Sequence, residues 1–249
     1  MKKLIIIIII LILSFINAKL FLESKVDQSN PLKMVKAALL KTREVSIVDK
    51  ENPSLPDHIL LDVPLLNQMD NPLLYNGCEV TSLAMILNYH GVKVTKNELA
   101  NNIKTVPLTY SDGKKGNPNA GFVGNMAQGP GLGVYNGPVF SLAQKYVGDR
   151  VVNLTNHPFS DLLKEVGQGL PVWIITTTNF TPVSDFQTWD TPQGKIDVTF
   201  SVHSVAITGY DEDYIYVNDP YGTKNKKLNK ESFIKAWEQM GKQAIVIKK

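Results

Sequence analysis

Asn76-Gly77-Cys78-Glu79-Val80-Thr81-Ser82-Leu83-Ala84-Met85-Ile86-Leu87-Asn88-Tyr89-His90-Gly91 is the stretch on which the reading of the fold turns. Val80, Leu83, Ala84 and Leu87 recur at helical spacing, and Met85 and Ile86 widen that stripe. The pattern predicts a buried helix over 78–90, with Gly91 as its stop. Asn76-Gly77 lets the chain turn sharply into it. The single cysteine of the chain, Cys78, then falls in the first helical turn.

Outward from this helix the period changes once. Thr95 with Glu98 has the spacing of a capping box and opens a second helix to about Ile103. Residues 138–147 and 159–167 read as two more helices, and about 230–240 as a final one. Strand-like runs are Ile59–Val63, Pro171–Thr177, Thr199–Thr208, Tyr214–Asn218 and Ala244–Ile247. Helices come first and strands later, which predicts an α+β domain with a mostly antiparallel sheet. Between them, residues 113–138 hold eight of the seventeen glycines. No Gly-Lys-Ser/Thr ending or dinucleotide spacing accompanies these glycines, so the segment reads as a cleft wall or lid rather than a phosphate cradle.

Upstream, Lys2 and Lys3 precede the apolar run Leu4–Leu13, and Ala18 supplies a small residue at a cleavage point. Residues 1–18 read as a secretory signal, with an apolar core shorter than the roughly 20 residues of a membrane span. The expected location is outside the cytoplasmic membrane, with membrane attachment only through an uncleaved leader. Residues 19–57 read as a short helix and linker or a propeptide, and 58–249 as the compact domain. The 249 residues carry 26 basic and 23 acidic side chains. This near-balance disfavours nucleic acid as a partner. One cysteine excludes an intramolecular disulfide framework and a multi-thiolate zinc site. The histidines, at 58, 90, 157 and 203, form no i, i+3 or i, i+4 pair. Neither a metal nor a cofactor is expected.

In an exported chain a free cysteine is chemically exposed to oxidation, which makes a passive role a poor account of Cys78. Free N–H groups at the start of a helix favour thiolate, so Cys78 is expected to be a reactive nucleophile that alkylates faster than a model thiol. A nucleophile needs a base. His58 lies at the linker boundary, His157 precedes a proline in a turn, and His90 is about 18 Å from Cys78 by helix rise. His203 sits inside the apolar strand Val202–Ile207, where an imidazole needs a partner. A tight hairpin centred on Asp211-Glu212 would bring Asp219 within cross-strand reach of His203, give or take one bulge. Gln68, ten residues before Cys78, could join the Cys78 amide as a donor to a developing oxyanion.

Together these residues resemble those of papain-clan cysteine peptidases. Within that clan the chain is similar to the bacteriocin-processing (double-glycine) peptidase family and its stand-alone exported relatives. The matching stretches are Val63–Gln68, Asn76–Met85, Gly121–Gly124, Gly131–Tyr135, His203 with Gly209-Tyr210, and Asn218-Asp219-Pro220. The resemblance implies a papain-like fold, in which a helical lobe carrying Cys78 faces a sheet carrying His203 and Asp219. It also implies roles: Cys78 as nucleophile, His203 as base, Asp219 as its orienting partner and Gln68 as oxyanion residue. The expected activity is cysteine-peptidase hydrolysis of a peptide or protein substrate. Two other readings use the same residues or none of them: a cell-wall peptide hydrolase or acyltransferase, and a catalytically silent surface protein. Double-glycine specificity is not expected, because the leader-processing members are cytosolic domains fused to a transporter.

Overall fold

A computed structural model describes residues 55–249. The expected signal at 1–18, and the helix and linker of 19–54, lie outside the described residues.

The central helix forms as its sequence requires. Helix α1, Cys78–Tyr89, buries every residue from Cys78 to Leu87. A helix buried on all sides lies inside the domain rather than on its surface. Gly77, which precedes it, has an ordinary backbone (φ −99°). Glycine is needed there for contact rather than for a left-handed turn, since a Cβ would meet Leu74 at 2.5 Å. Helix α2, Lys96–Asn102, begins at Thr95, whose Oγ1 accepts the Glu98 N–H at 3.0 Å.

The sheet alternates as a half-buried ladder should, but it is covered on both faces. β1 is Ile59–Leu60, β2 Thr105–Val106, β3 Phe122–Gly124 and β4 Gly131–Gly133; α3 is Asn136–Val147 and β5 Val151–Asn153. α4 is Phe159–Gly167, β6 Val172–Thr177, β7 Gln187–Thr191, β8 Gly194–Val198 and β9 Val202–Tyr210. β10 is Tyr214–Asp219, β11 Thr223–Asn229, α5 Lys230–Gln239 and β12 Ala244–Ile247. The main sheet runs β11-β10-β9-β6-β12-β5, with β1 also on β9, and every described pairing in it is antiparallel. Trp173, Ile175, Ala206 and Ile245 pack with α1, α2 and α3. Their neighbours Val172, Ile174, Val205, Ile207 and Val246 pack with α4 and α5. Successive strand residues point to opposite faces, so this parity defines a sheet between two helical layers.

The α+β class and the antiparallel sheet agree with the sequence reading, as do α1, α3, α4, α5 and β12 to within two residues. Seven strands escaped it: β2, β3, β4, β5, β7, β8 and β11 are short or polar. The strand expected at Ile59–Val63 pairs over Ile59–Leu60 alone. Within the glycine-rich segment β3 and β4 form a small sheet with β2, which precedes the segment and runs parallel to β3.

Candidate active site

Cys78 occupies the start of α1, as its place in the sequence requires, and is buried. The amides of Cys78 itself and of Ser204 on β9 are the backbone groups that favour the charged form of its thiol. Ser82, one turn further along α1, donates to the Ser204 carbonyl at 3.0 Å and so joins the helix to the strand. The expectation of an easily ionised thiol is not met. Burial pushes the Cys78 thiol well above its usual value, the Glu79 carboxyl adds to that shift, and the two amides only partly oppose it. Desolvation disfavours the charged form more strongly than one helix start favours it. A thiolate here needs a cation or a base beside it.

The next residue in the strand supplies that chemistry. His203 on β9 is 1% exposed, and its Nε2 lies 3.0 Å from Asp219 Oδ1 at the end of β10. The hairpin turns one residue later than expected, between Glu212 and Asp213 rather than at Asp211-Glu212, and carries one bulge. Ile215 pairs Tyr210 and Tyr216 pairs Gly209, then the register shifts by one so that Val217 pairs Ile207 and Asn218 pairs Ala206. Asp219 therefore reaches His203 diagonally rather than from directly opposite. With Asp219 ionised, Nε2 donates to it, and the lone pair sits on Nδ1. Nδ1 is buried and has no hydrogen-bond partner.

Asp219 is surrounded by donors. Its Oδ1 also accepts the Tyr221 N–H at 3.0 Å, and its Oδ2 accepts from Lys226 Nζ at 2.9 Å. Burial by itself would raise this carboxyl, but His203, Lys226 and the Tyr221 amide outweigh it and hold Asp219 well below its ordinary 3.8. Tyr221 lies over the imidazole at 5.0 Å with the rings 14° apart, and Phe180 meets it edge-on at 5.9 Å. Lys226 in turn sits 4.6 Å over the Phe180 ring. Lys226, Phe180 and Tyr221 were not singled out from the sequence. Lys226 lies in the polar strand β11, and its only sequence signal is a place opposite Val217, visible once that hairpin is drawn.

Gln68 is fully buried, and its backbone N–H donates to the Pro220 carbonyl at 2.8 Å, tying it to the turn after Asp219. Its side-chain donors are committed to its own loop: Nε2 donates to Tyr75 O at 2.8 Å and Leu74 O at 3.3 Å. Oε1 is left buried without a partner. Exchanging the two amide atoms would set Oε1 against two carbonyls, so the loop dictates this orientation. The donor expected to face the thiol is thus held back from it.

The glycine-rich segment packs against the residues that lead into Cys78. Asn76 donates to the carbonyls of Asn125 and Gly129 at 2.8 and 2.9 Å, and the Tyr75 amide donates to Ala127. Glu79, to which the sequence reading gave no role, is buried with Oε1 accepting the Val134 N–H at 2.9 Å. The other histidines stay apart from this group. His90 caps α1, and His58 meets Tyr216 edge-on. His157 has a neighbour the sequence reading did not credit, pairing with Asp161 at 3.3 Å on the surface. Among the described residues no cluster of ligand-type side chains could hold a metal ion, and no helix is long and apolar enough to cross a membrane.

Residues 60–245 match the sequence model of the Peptidase_C39 like family. The Bacillus subtilis (strain 168) protein YvpB, which is uncharacterized, is 63% identical over 189 residues, covering 76% of this chain and 76% of its own. A crystal structure of a candidate C39-like peptidase from Bacillus anthracis superposes with a TM-score of 0.75 at 44% identity. That match covers 78% of this chain and 98% of the other.

Proposed function

The chain belongs to the Peptidase_C39 like family, and from that premise we propose that it is an exported cysteine peptidase acting through a thioacyl intermediate on Cys78. The observation that carries the reading is the buried His203–Asp219 bond, which leaves Nδ1 open on β9, the strand to which Ser82 of the Cys78 helix hydrogen-bonds. In this mechanism His203 Nδ1 takes the thiol proton, and Asp219 stabilises the imidazolium that results. The thiolate attacks the peptide carbonyl. The oxyanion so formed accepts from the Cys78 N–H and from Gln68, whose carboxamide leaves the Tyr75 carbonyl as substrate enters. His203 then protonates the departing amine, and the thioester is hydrolysed by a water that His203 deprotonates. The glycine-rich segment at 113–138 forms one wall of the substrate cleft. Export rests on the composition of residues 1–18, and the family points to a peptide or protein substrate.

The test is hydrolysis of a mixed peptide library by the purified protein and its Cys78→Ala variant. Loss of a nucleophile that acts as a unit with its base is expected to lower turnover by about 10⁴-fold or more. Turnover that survives the substitution would overturn the assignment.

A further inference from the structure

Glu79 adjoins the nucleophile and is used by none of the steps above. An acidic residue in the first turn of a helix is ordinarily a solvated anion that complements the helix dipole. Glu79 departs from that role, because its side chain is fully buried on the residue that follows Cys78 in the helix. Oε1 accepts the Val134 N–H at the exit of β4, while Oε2 is buried with no hydrogen-bond partner. The opposite strand has made room for it: a Cβ at Gly133, where φ is +130°, would collide with Oε1. Among the described residues no cation pairs with it. The titratable groups around it are the Cys78 thiol on its own helix, the Tyr135 phenol before α3 and the Tyr221 phenol beyond β10. His203 stands on β9, the strand against which α1 packs.

We propose that Glu79 is a positioning residue for the nucleophile, whose carboxyl must carry its proton for Cys78 to ionise readily. The proposal rests on reading Cys78 as the nucleophile. Its basis is that two adjoining groups in a site without a nearby cation do not both carry negative charge at low cost. With Glu79 neutral, moving the Cys78 proton to His203 creates one anion and one cation. With Glu79 ionised, the same transfer sets thiolate against carboxylate. Burial raises the Glu79 carboxyl from 4.5 to about 7, against the smaller opposing effects of the Val134 amide, its own amide and the thiol. The change of state therefore falls near neutral pH.

The experiment is the rate of Cys78 alkylation by iodoacetamide against pH, in wild type and Glu79→Gln. Glutamine keeps the acceptor for the Val134 N–H and removes the charge. The two profiles are expected to coincide below about pH 6 and to diverge above 7. There the variant reacts about tenfold faster, the effect of one pKa unit. Superimposed profiles, or a ratio constant across pH, would overturn the proposal, since a structural role alone has no reason to track this titration. If the variant does not fold, the carboxyl carbon of Glu79 is followed by ¹³C NMR in the wild-type protein. A midpoint near 7 supports the proposal, and one near 4.5 overturns it. Neither readout uses peptide turnover. Diverging profiles without peptide hydrolysis would sink the peptidase reading alone, and superimposed profiles with hydrolysis would sink this proposal alone.

Discussion

The two sides of the site are built on opposite electrostatic plans. On the β9–β10–β11 side, His203, Asp219 and Lys226 form a hydrogen-bonded line in which each Asp219 oxygen meets a donor. On the α1 side, Cys78, Glu79 and Gln68 are buried with polar atoms left over, namely Glu79 Oε2 and Gln68 Oε1. The first side is organised in advance, since its charges are already compensated and its imidazole is gripped between two aromatic rings. The second holds its groups neutral. On the proposed mechanism the difference separates a base organised in advance from a thiol that stays protonated until His203 takes its proton.

Breaking the organised side should have the largest effect. Asp219→Asn removes the charge that stabilises an imidazolium while leaving the side chain's shape. Peptide turnover should fall by about 10²–10⁴-fold on the scale of orienting carboxylates in hydrolase triads. A fall of less than threefold would show that Asp219 is structural only. Tyr221→Ala takes away the ring stacked on His203 but leaves the backbone N–H on Asp219. Such a contact is worth about 0.5–1.5 kcal/mol, which corresponds to a fall of about tenfold or less in kcat/KM. Tyr221→Phe should restore it, and failure to do so would place the effect in the hydroxyl. Lys226→Ala should be the mildest, because the lysine is partly exposed and such pairs contribute little. A change under threefold in turnover is expected, with a small loss of stability at neutral pH that vanishes once Asp219 is protonated.

The same comparison predicts two separate pH windows for stability. Asp219 has a depressed native pKa, so its contribution is present above its unfolded value near 3.8 and is lost as pH falls below it. Glu79 has a raised native pKa, and the native state therefore binds its proton more tightly than the unfolded chain does. Its effect runs the other way: stability declines as pH rises from 4.5 to about 7. Urea unfolding against pH should show an acid loss that Asp219→Asn flattens and a decline toward neutrality that Glu79→Gln flattens. An unchanged slope in either variant would remove that residue from the account.

Much of this arrangement was legible before the coordinates. The α1 stripe was readable because Val80, Leu83, Ala84 and Leu87 repeat at helical spacing, although Glu79, Thr81 and Ser82 are buried on the same helix. His203 stood out because an imidazole in an apolar strand needs a partner, and a hairpin count placed Asp219 near it. What escaped reading was short or polar. β11, Thr-Lys-Asn-Lys-Lys-Leu-Asn, has little strand propensity and lies at the sheet edge, where lysines are tolerated and guard against further pairing. Lys226 was hidden with it. Gln68 was found as a residue but not as an orientation, since its amide is aimed by the Leu74 and Tyr75 carbonyls of a loop whose path has no periodicity to read.

The sequence by itself determined the class of fold, the central helix and the set of groups able to react, because periodicity and residue chemistry are local properties. The tertiary structure alone decided their states. Whether Cys78 is a thiol or a thiolate, which imidazole nitrogen is free, and whether the buried Glu79 carries its proton all depend on desolvation and on donors from distant strands. Those are sums over neighbours in space, and the order of residues along the chain does not contain them.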